Sequence, residues 1–529
     1  MNRVQTENVG TAAFLLIFSF LNVYICMLQK GLLESRFDYC VLFADVLILT
    51  ILLFFLAGTV KKASGSRKGC LSGSDCRMSD GRYAGLVWIL QAAAWFPVFL
   101  AYYPGLFNYD VIRQVPQAMG NYDLHHPLAH TLYLQFFYYI IGEKIFGSHN
   151  AGIAAAAVVQ MGVFSAMLAY IHLFCKRMRM GKWIRCALIA ASCLLPVFSM
   201  LVIAMTKDVF FAGFTGVLYA ALGYWYRLRE YCTGRSFAAV YILSVIGTLL
   251  FRNNGIYPLV ILALALAIQT FLRRDTLKLL LYTSLGIALG LMISTGLRVG
   301  LQARKGSFNE ALSLPYQQIA CAYAEHKDSM SEEETECITR IMPNVQKYNA
   351  SLSDPVKKKA KAQKYFPEFT RLYLKLLARY PVSYVKAFCS LDAGYLGLTD
   401  TTFGRIYGTA NRQGVFLTDC KEGFDIHPVS FLPALEDLCE KLYSDNKYEN
   451  VIGLRLLCTP SLYFWLMCHF MLLACQKRQR ELIPMKAFMI VFLLTVLAGP
   501  CALVRYALPY ILCLPTMGAC VLLPGGKRE

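Results

Sequence analysis

Apolar runs long enough to cross a bilayer recur along the chain, and they limit its possible folds more than any other feature. They fall at residues 11–28, 39–60, 84–103, 151–175, 186–205, 209–226, 237–251, 255–272, 279–297, 460–475, 487–503 and 506–523. A helix of about 20 residues rises ~30 Å, the thickness of the hydrocarbon layer. Lipid offers backbone N–H and C=O groups no partner, so a spanning segment must satisfy them internally, as an α-helix does. Of the 529 residues, 57% are hydrophobic and only 16% charged, against about a quarter charged in a soluble domain. The expected fold is an all-α polytopic membrane protein with about twelve transmembrane helices.

The net charge of +19 would suit a nucleic-acid partner if the basic residues formed one surface. They sit instead in short clusters between apolar runs: "KKASGSRK", "KRMRMGKWIR", "RLREYCTGR", "RRDTLK", "QKRQR" and the terminal "KRE". Clusters of that kind mark the cytoplasmic side of a membrane protein, so no nucleic acid is expected. One further apolar stretch, 126–147, decides the parity. If it crosses, the later clusters fall opposite the first. If it lies in the outer interface, which suits its Tyr and Phe content, all six share the cytoplasmic side. The second arrangement puts both termini in the cytoplasm. Residues 11–28 lack a basic flank and a small-residue cleavage site and read as a retained span. Nineteen cysteines without a CxxC pair read as small apolar core residues.

The same parity turns outward a set of segments whose charges serve no topological purpose. The chain divides into a transmembrane part, 1–297, with an external loop at 104–147, then an external region, 298–457, and C-terminal transmembrane helices, 458–529. In the external region "SEEETECITRIM" opens with a capping box, Ser331 and Glu334. "FTRLYLKLLARYP" and "FLPALEDLCEKLY" carry helical periodicity, and the Gly- and Thr-rich "GYLGLTDTTFGRIYGTANRQG" between them reads as loop.

The outward segments also hold the candidate functional residues. Asp110 and Asp123 flank "VIRQVPQAMGNY" in the first external loop, beside His125 and His126. One aspartate there would be read as a helix cap. Two beside two histidines suggest acid–base work, because a carboxyl near an apolar surface has a raised pKa and suits a general base. The residues alone leave the base open between Asp110 and Asp123. "MTKDVF" places Lys207 and Asp208 at the tip of a helical hairpin, where a local ion pair between them is the plain structural reading. "FRNNGIY" places Arg252, Asn253 and Asn254 at another. The run before it, 15 residues at 237–251, rises only ~22 Å, so Arg252 lies below the membrane surface, where an arginine needs a partner or a cavity. Arg505 joins the same face, with snorkelling as its plain reading. Cations at headgroup level suit a lipid-linked phosphate, and a carboxylate suits deprotonation of a hydroxyl. No Walker loop, GxSxG or HExxH motif points elsewhere.

In "FNYDVIRQ" and "YDLHHPLAHTLYL" the chain resembles the GT-C superfamily of membrane glycosyltransferases, of the protein-mannosyltransferase and aminoarabinose-transferase type. Those proteins carry an acidic residue on a short interfacial helix of the first external loop. A His-Pro-Pro-Leu-like element follows on a second, non-crossing helix. Here His126 stands where the first Pro would be, and Asp110 is followed by Val111 rather than a second acid. The resemblance runs from about residue 102 to 170 and implies inverting transfer of a sugar from a polyprenyl-phosphate donor. The acceptor would be an envelope glycan, lipid or protein outside a bacterial cytoplasmic membrane. It implies Asp110 as general base, Asp123 as an orienting acid, and His125 and His126 beside the donor phosphate. The roles of Lys207, Asp208, Arg252, Asn253 and Arg505 rest on the topology argument. No cofactor is expected, although two acids leave room for a divalent cation. The rival reading is a transporter or flippase for a lipid-linked or anionic solute, which would also need deep cations but would favour inverted repeats, of which none is evident. A non-enzymatic envelope assembly factor is a third.

Overall fold

The structure is a computed structural model that describes residues 3–33, 35–65, 78–108, 110–111, 114, 117, 120–398, 409–410, 425–444 and 452–524. It is built almost wholly of helices, with one pair of two-residue strands joining Phe107–Asn108 to Thr409–Ala410. Among the described residues, eight helices are long and apolar enough to cross a membrane: Glu7–Gln29, Phe37–Leu56, Asp80–Ala101, His149–Arg177, Lys207–Arg227, Asn253–Arg273, Leu277–Gly300 and Val504–Leu522. The pair Lys182–Leu194 and Pro196–Val202, bent by 44° where Pro196 interrupts the backbone ladder, would make a ninth. The protein is therefore an all-α membrane protein. The remaining expected spans are also helical but shorter, Arg235–Leu250, Pro460–Gln476 and Ile483–Leu497.

Burial grades from one central helix outward. Lys207–Arg227 is enclosed on nearly all sides, whereas Phe37–Leu56 exposes most of its apolar surface, as a lipid-facing helix does. The central helix packs against His149–Arg177, Arg235–Leu250 and Val504–Leu522. It runs parallel to Val504–Leu522. Asp208 meets Arg505 at one end of the pair, and Arg227 donates to the Cys520 carbonyl at the other.

The stretch 126–147 begins as an α-helix, Leu128–Gln135, and continues as a π-helix, Phe136–Phe146. At Gly147 the chain turns with φ +60°, Ser148 caps the next helix through the Ala151 N–H, and His149–Arg177 runs back along the π-helix. The two backbones nearly touch. A Cβ on Gly152 would lie 2.2 Å from the Phe137 carbonyl oxygen and 2.6 Å from the Gly142 Cα, so only glycine fits.

The stretch 298–457 has a core of its own. Tyr316, Ile319, Ile338, Ile341, Phe369, Leu372 and Leu376 join the helices Ser313–His326, Glu332–Ile341 and Phe366–Arg379. The capping box expected at Ser331 and Glu334 is present. The amphipathic "FLPALEDLCEKLY" forms Pro433–Cys439 followed by a π-helical turn, Glu440–Ser444. Most of the expected loop "GYLGLTDTTFGRIYGTANRQG" lies outside the described residues. The stretch 298–457 is bonded to the turn between Ile483–Leu497 and Val504–Leu522. The Tyr395 hydroxyl donates to the Leu503 carbonyl and accepts from the Leu503 N–H, and the Ser353 N–H donates to the Pro500 carbonyl.

Candidate functional site

The loop carrying Asp110 is stitched to the segment that leads into the central helix. Leu106 donates its N–H to the Ile203 carbonyl at 3.0 Å, and its own carbonyl accepts from the Met205 N–H at 2.8 Å. Gly105 permits that approach. Its φ is +145°, and a Cβ there would stand 2.9 Å from the Ile203 oxygen. Three residues past Leu106 and Phe107 the backbone is helical at Asp110, Val111, Gln114 and Gln117. On the other side Thr206 caps the central helix, its hydroxyl oxygen accepting from the Asp208 N–H. Lys207 and Asp208 are thereby fixed in the first turn, and Arg505 occupies the matching first turn of Val504–Leu522.

These placements bring five expected residues, Asp110, Lys207, Asp208, Arg252 and Arg505, into one ion-pair network. Lys207 Nζ lies 2.5 Å from Asp110 Oδ2, and Arg505 Nη1 lies 3.4 Å from the same oxygen. Arg505 Nε is 3.6 Å from Asp208 Oδ2, and Arg252 Nη1 is 3.2 Å from Asp208 Oδ1. The Thr206 hydroxyl also donates to Asp208 Oδ2 at 3.1 Å. The Arg252 guanidinium stands over the Tyr506 ring, 4.3 Å from its centroid, and Arg505 donates to the Tyr506 hydroxyl. Lys207 Nζ is 3.2 Å from His126 Nδ1, so an ammonium there makes Nδ1 the acceptor and leaves the His126 proton on Nε2.

Two plain readings give way to this geometry. Lys207 pairs with Asp110, 97 residues away, rather than with adjacent Asp208, which the two arginines take. Arg505 is buried between two carboxylates and does not snorkel. The expected upward pKa shift at Asp110 is also reversed. Burial does push its carboxyl up, but Arg505, Lys207 and His126 outweigh burial and hold it well below the ordinary carboxylate range.

The remaining expected residues sit around the cluster. The Asp123 carboxylate accepts from the His125 N–H at 2.9 Å, and its backbone lies in a bridge with Arg304. The His125 ring packs edge-on against His126, centroids 4.6 Å apart. Asn253 donates its amide to the Leu124 carbonyl at 3.0 Å, tying the Arg252 turn to the histidine loop.

Four neighbours escaped the sequence reading: Thr206, Gln114, His130 and Tyr506. The Thr-Lys-Asp order at a helix start is a local capping signal for Thr206. His130 follows His126 by four residues, as Gln114 follows Asp110, and the two are joined, His130 Nδ1 to Gln114 Oε1 at 3.0 Å. Gln114 in turn donates to the Thr131 hydroxyl. Burial, with Lys207 adding to it, drives the His130 pKa down to about 3 and keeps the ring neutral.

Among the described residues, three cations thus face two carboxylates, leaving one positive charge in excess. The N-termini of two parallel helices add partial positive charge at the same place. Such a site suits an anion, above all a phosphate, for which guanidinium forks and an ammonium are the usual partners. No three His, Cys, Asp or Glu side chains among the described residues are grouped to hold a metal ion.

No curated protein and no solved structure matches the chain. Residues 115–523 match a family described as a family of unknown function, DUF6020. That match covers more than half of the chain and takes in His126, Lys207, Asp208, Arg252 and Arg505, and the protein belongs to that family.

Proposed function

We propose that the protein is an integral membrane glycosyltransferase of GT-C type that transfers a sugar from a polyprenyl-phosphate donor to an envelope acceptor. The observation that carries this reading is the meeting of Asp110 with Lys207 and Arg505, with Arg252 joined through Asp208, at two helix N-termini. Lys207, Arg505 and Arg252 hold the donor phosphate, and His126 presents Nε2–H beside it. Asp110 takes the proton of the acceptor hydroxyl as its oxygen attacks the anomeric carbon. The carbon–oxygen bond to the phosphate breaks, and the phosphate leaves with the electron pair as polyprenyl phosphate. Stabilising that leaving charge is what the cations contribute, since they are fixed before the reaction begins.

The topology belongs to the same reading: about twelve spans, both termini in the cytoplasm of a bacterium, and the stretch 126–147 lying in the outer interface. A tag inserted at the Gly147 turn reports the outer side; a cytoplasmic report overturns the orientation.

The direct test incubates the purified protein with labelled polyprenyl-phosphate sugars and an envelope extract. Consumption of one donor with release of polyprenyl phosphate is the expected result. Asp110→Asn lowers turnover by about 10²–10⁴-fold, the usual worth of a general base, with membrane insertion intact. Undiminished turnover in that variant removes the base, and no consumption of any donor removes the enzyme.

A further inference from the structure

The cations that would receive a phosphate are already in use. Lys207 and Arg505 both address Asp110 Oδ2, and all three side chains are shielded from bulk water. Asp208 could not yield its cations as readily. It is the more deeply buried carboxylate and is anchored through the Thr206 hydroxyl and its own N–H as well as by two arginines. Asp110 is the less buried of the two carboxylates, 16% exposed against 1%. We infer that Asp110 occupies the seat of the ligand's anion, and that a phosphate arriving on Lys207 and Arg505 displaces this carboxylate and leaves it ready to bind a proton.

This rests on the function proposed above and adds an order of events to it. A carboxylate clamped by two cations is a poor base. The incoming phosphate takes over those cations and adds negative charge beside Asp110, and both changes strengthen its hold on a proton. The base is therefore switched on by the donor, and an acceptor hydroxyl arriving first finds it off.

Linkage fixes the sign of the pH effect. Asp110 has a higher pKa with the anion bound than without it. Anion affinity is accordingly flat above the bound value, rises as pH falls through that value, and levels off below the unbound one. Among the described residues, Lys207 and Arg505 from two helices and His126 from the loop act on Asp110, with Asp208, Arg252, Tyr506 and His130 behind them. Of these only the two histidines have an ordinary pKa near neutrality; burial keeps His130 neutral, and His126 accepts from Lys207.

The test uses a decaprenyl phosphodiester of a hexose, whose phosphate has no titrating proton near neutrality. Binding to the full-length protein in detergent is followed by calorimetry, in two buffers of different ionisation heat, from neutral pH downward. Wild-type protein takes up a proton on binding, and its affinity rises by up to about tenfold per pH unit on acidification. Asp110→Asn takes up none, and with no resident anion to displace it binds roughly tenfold more tightly at neutral pH. Binding without proton uptake and without pH dependence overturns the displacement and leaves the glycosyltransferase reading standing. Uptake that persists in Asp110→Asn assigns the proton to His126 and overturns it too. No binding of the probe at any pH sinks both. If the variant does not fold, the wild-type heats in the two buffers still decide.

Discussion

A carboxylate held by one lysine and one arginine recurs among the described residues, at Asp80, Asp110 and Glu334, and the last two are buried in opposite ways. In the stretch 298–457 Glu334 receives Lys375 at 2.8 Å and Arg379 at 3.3 Å; at the start of the central helix Asp110 receives Lys207 at 2.5 Å and Arg505 at 3.4 Å. Glu334 is 5% exposed while its Lys and Arg partners are 61% and 45% exposed. Asp110 is 16% exposed while its partners are 12% and 7% exposed. In the first case the acid is locked in and water can replace the cations. In the second the cations are locked in, and the acid is their most open partner. A buried acid with wet cations staples two helices. The Asp110 cations, backed by two helix N-termini, are on the proposed reading an anion site that carries its own occupant.

Substitutions at matching positions test that contrast. Arg505→Ala leaves Asp208 buried with one arginine and Asp110 with one lysine, and breaking a buried pair costs about 3–5 kcal/mol. Arg379→Ala removes a solvent-facing partner from an acid that keeps its other contacts, at a cost of about 0–1 kcal/mol. Thermal unfolding of the two purified variants measures both. Equal losses would mean that the burial contrast carries no energetic weight.

Arg252→Ala has a smaller effect on stability and a selective one on binding, since Arg252 reaches Asp110 only through Asp208 and Arg505. The expected result is a donor affinity about tenfold weaker, ~1.4 kcal/mol. Arg252→Lys recovers part of it, because an ammonium replaces the charge but not the planar fork over Tyr506. Unchanged affinity in Arg252→Ala removes this residue from the anion site.

How much of this was legible in the sequence follows from the range of each signal. The apolar runs mark the helices because a 20-residue hydrophobic stretch needs no partner to be recognised. The capping box at Ser331 and Glu334 lies within four residues and was equally plain. The depth of Arg252 pointed to a partner but not to which one. Asp110 and Arg505 are 395 residues apart, and no local pattern announces their pairing. That is also why the pKa of Asp110 was expected to move the wrong way. Sequence shows the apolar neighbours that raise it, whereas the two cations that lower it arrive from distant helices. Lys207 with Asp208 illustrates the opposite error, in which adjacency suggests a pair that the helix start directs elsewhere.

The smallest effect belongs to the external staple, and it separates structure from function most cleanly. Ser331→Ala removes the hydroxyl that accepts from the Glu334 N–H, at about 1 kcal/mol for a lost helix cap. Hydrogen exchange within Glu332–Ile341 quickens, and donor binding does not change. Acid should do the same by another route. Hydrogen bonding from Lys375, opposed by burial and reinforced by the Ser331 N–H and the charges of Lys375 and Arg379, holds the Glu334 pKa below its ordinary value. A carboxyl lowered in the folded state stabilises it fully above the unfolded pKa, and that contribution is lost as pH falls through the folded value. Protection in this helix, corrected for the intrinsic pH dependence of exchange, therefore falls on acidification below the ordinary glutamate range, and Glu334→Gln shows the lower protection above that range with the acid dependence removed. The Asp110 cluster answers differently to the same titration, because its pH dependence appears in anion affinity and not in the opening of a helix. If acid loosened both regions in parallel with no change in anion binding, the two carboxylates would be doing the same structural job and the contrast between them would fail.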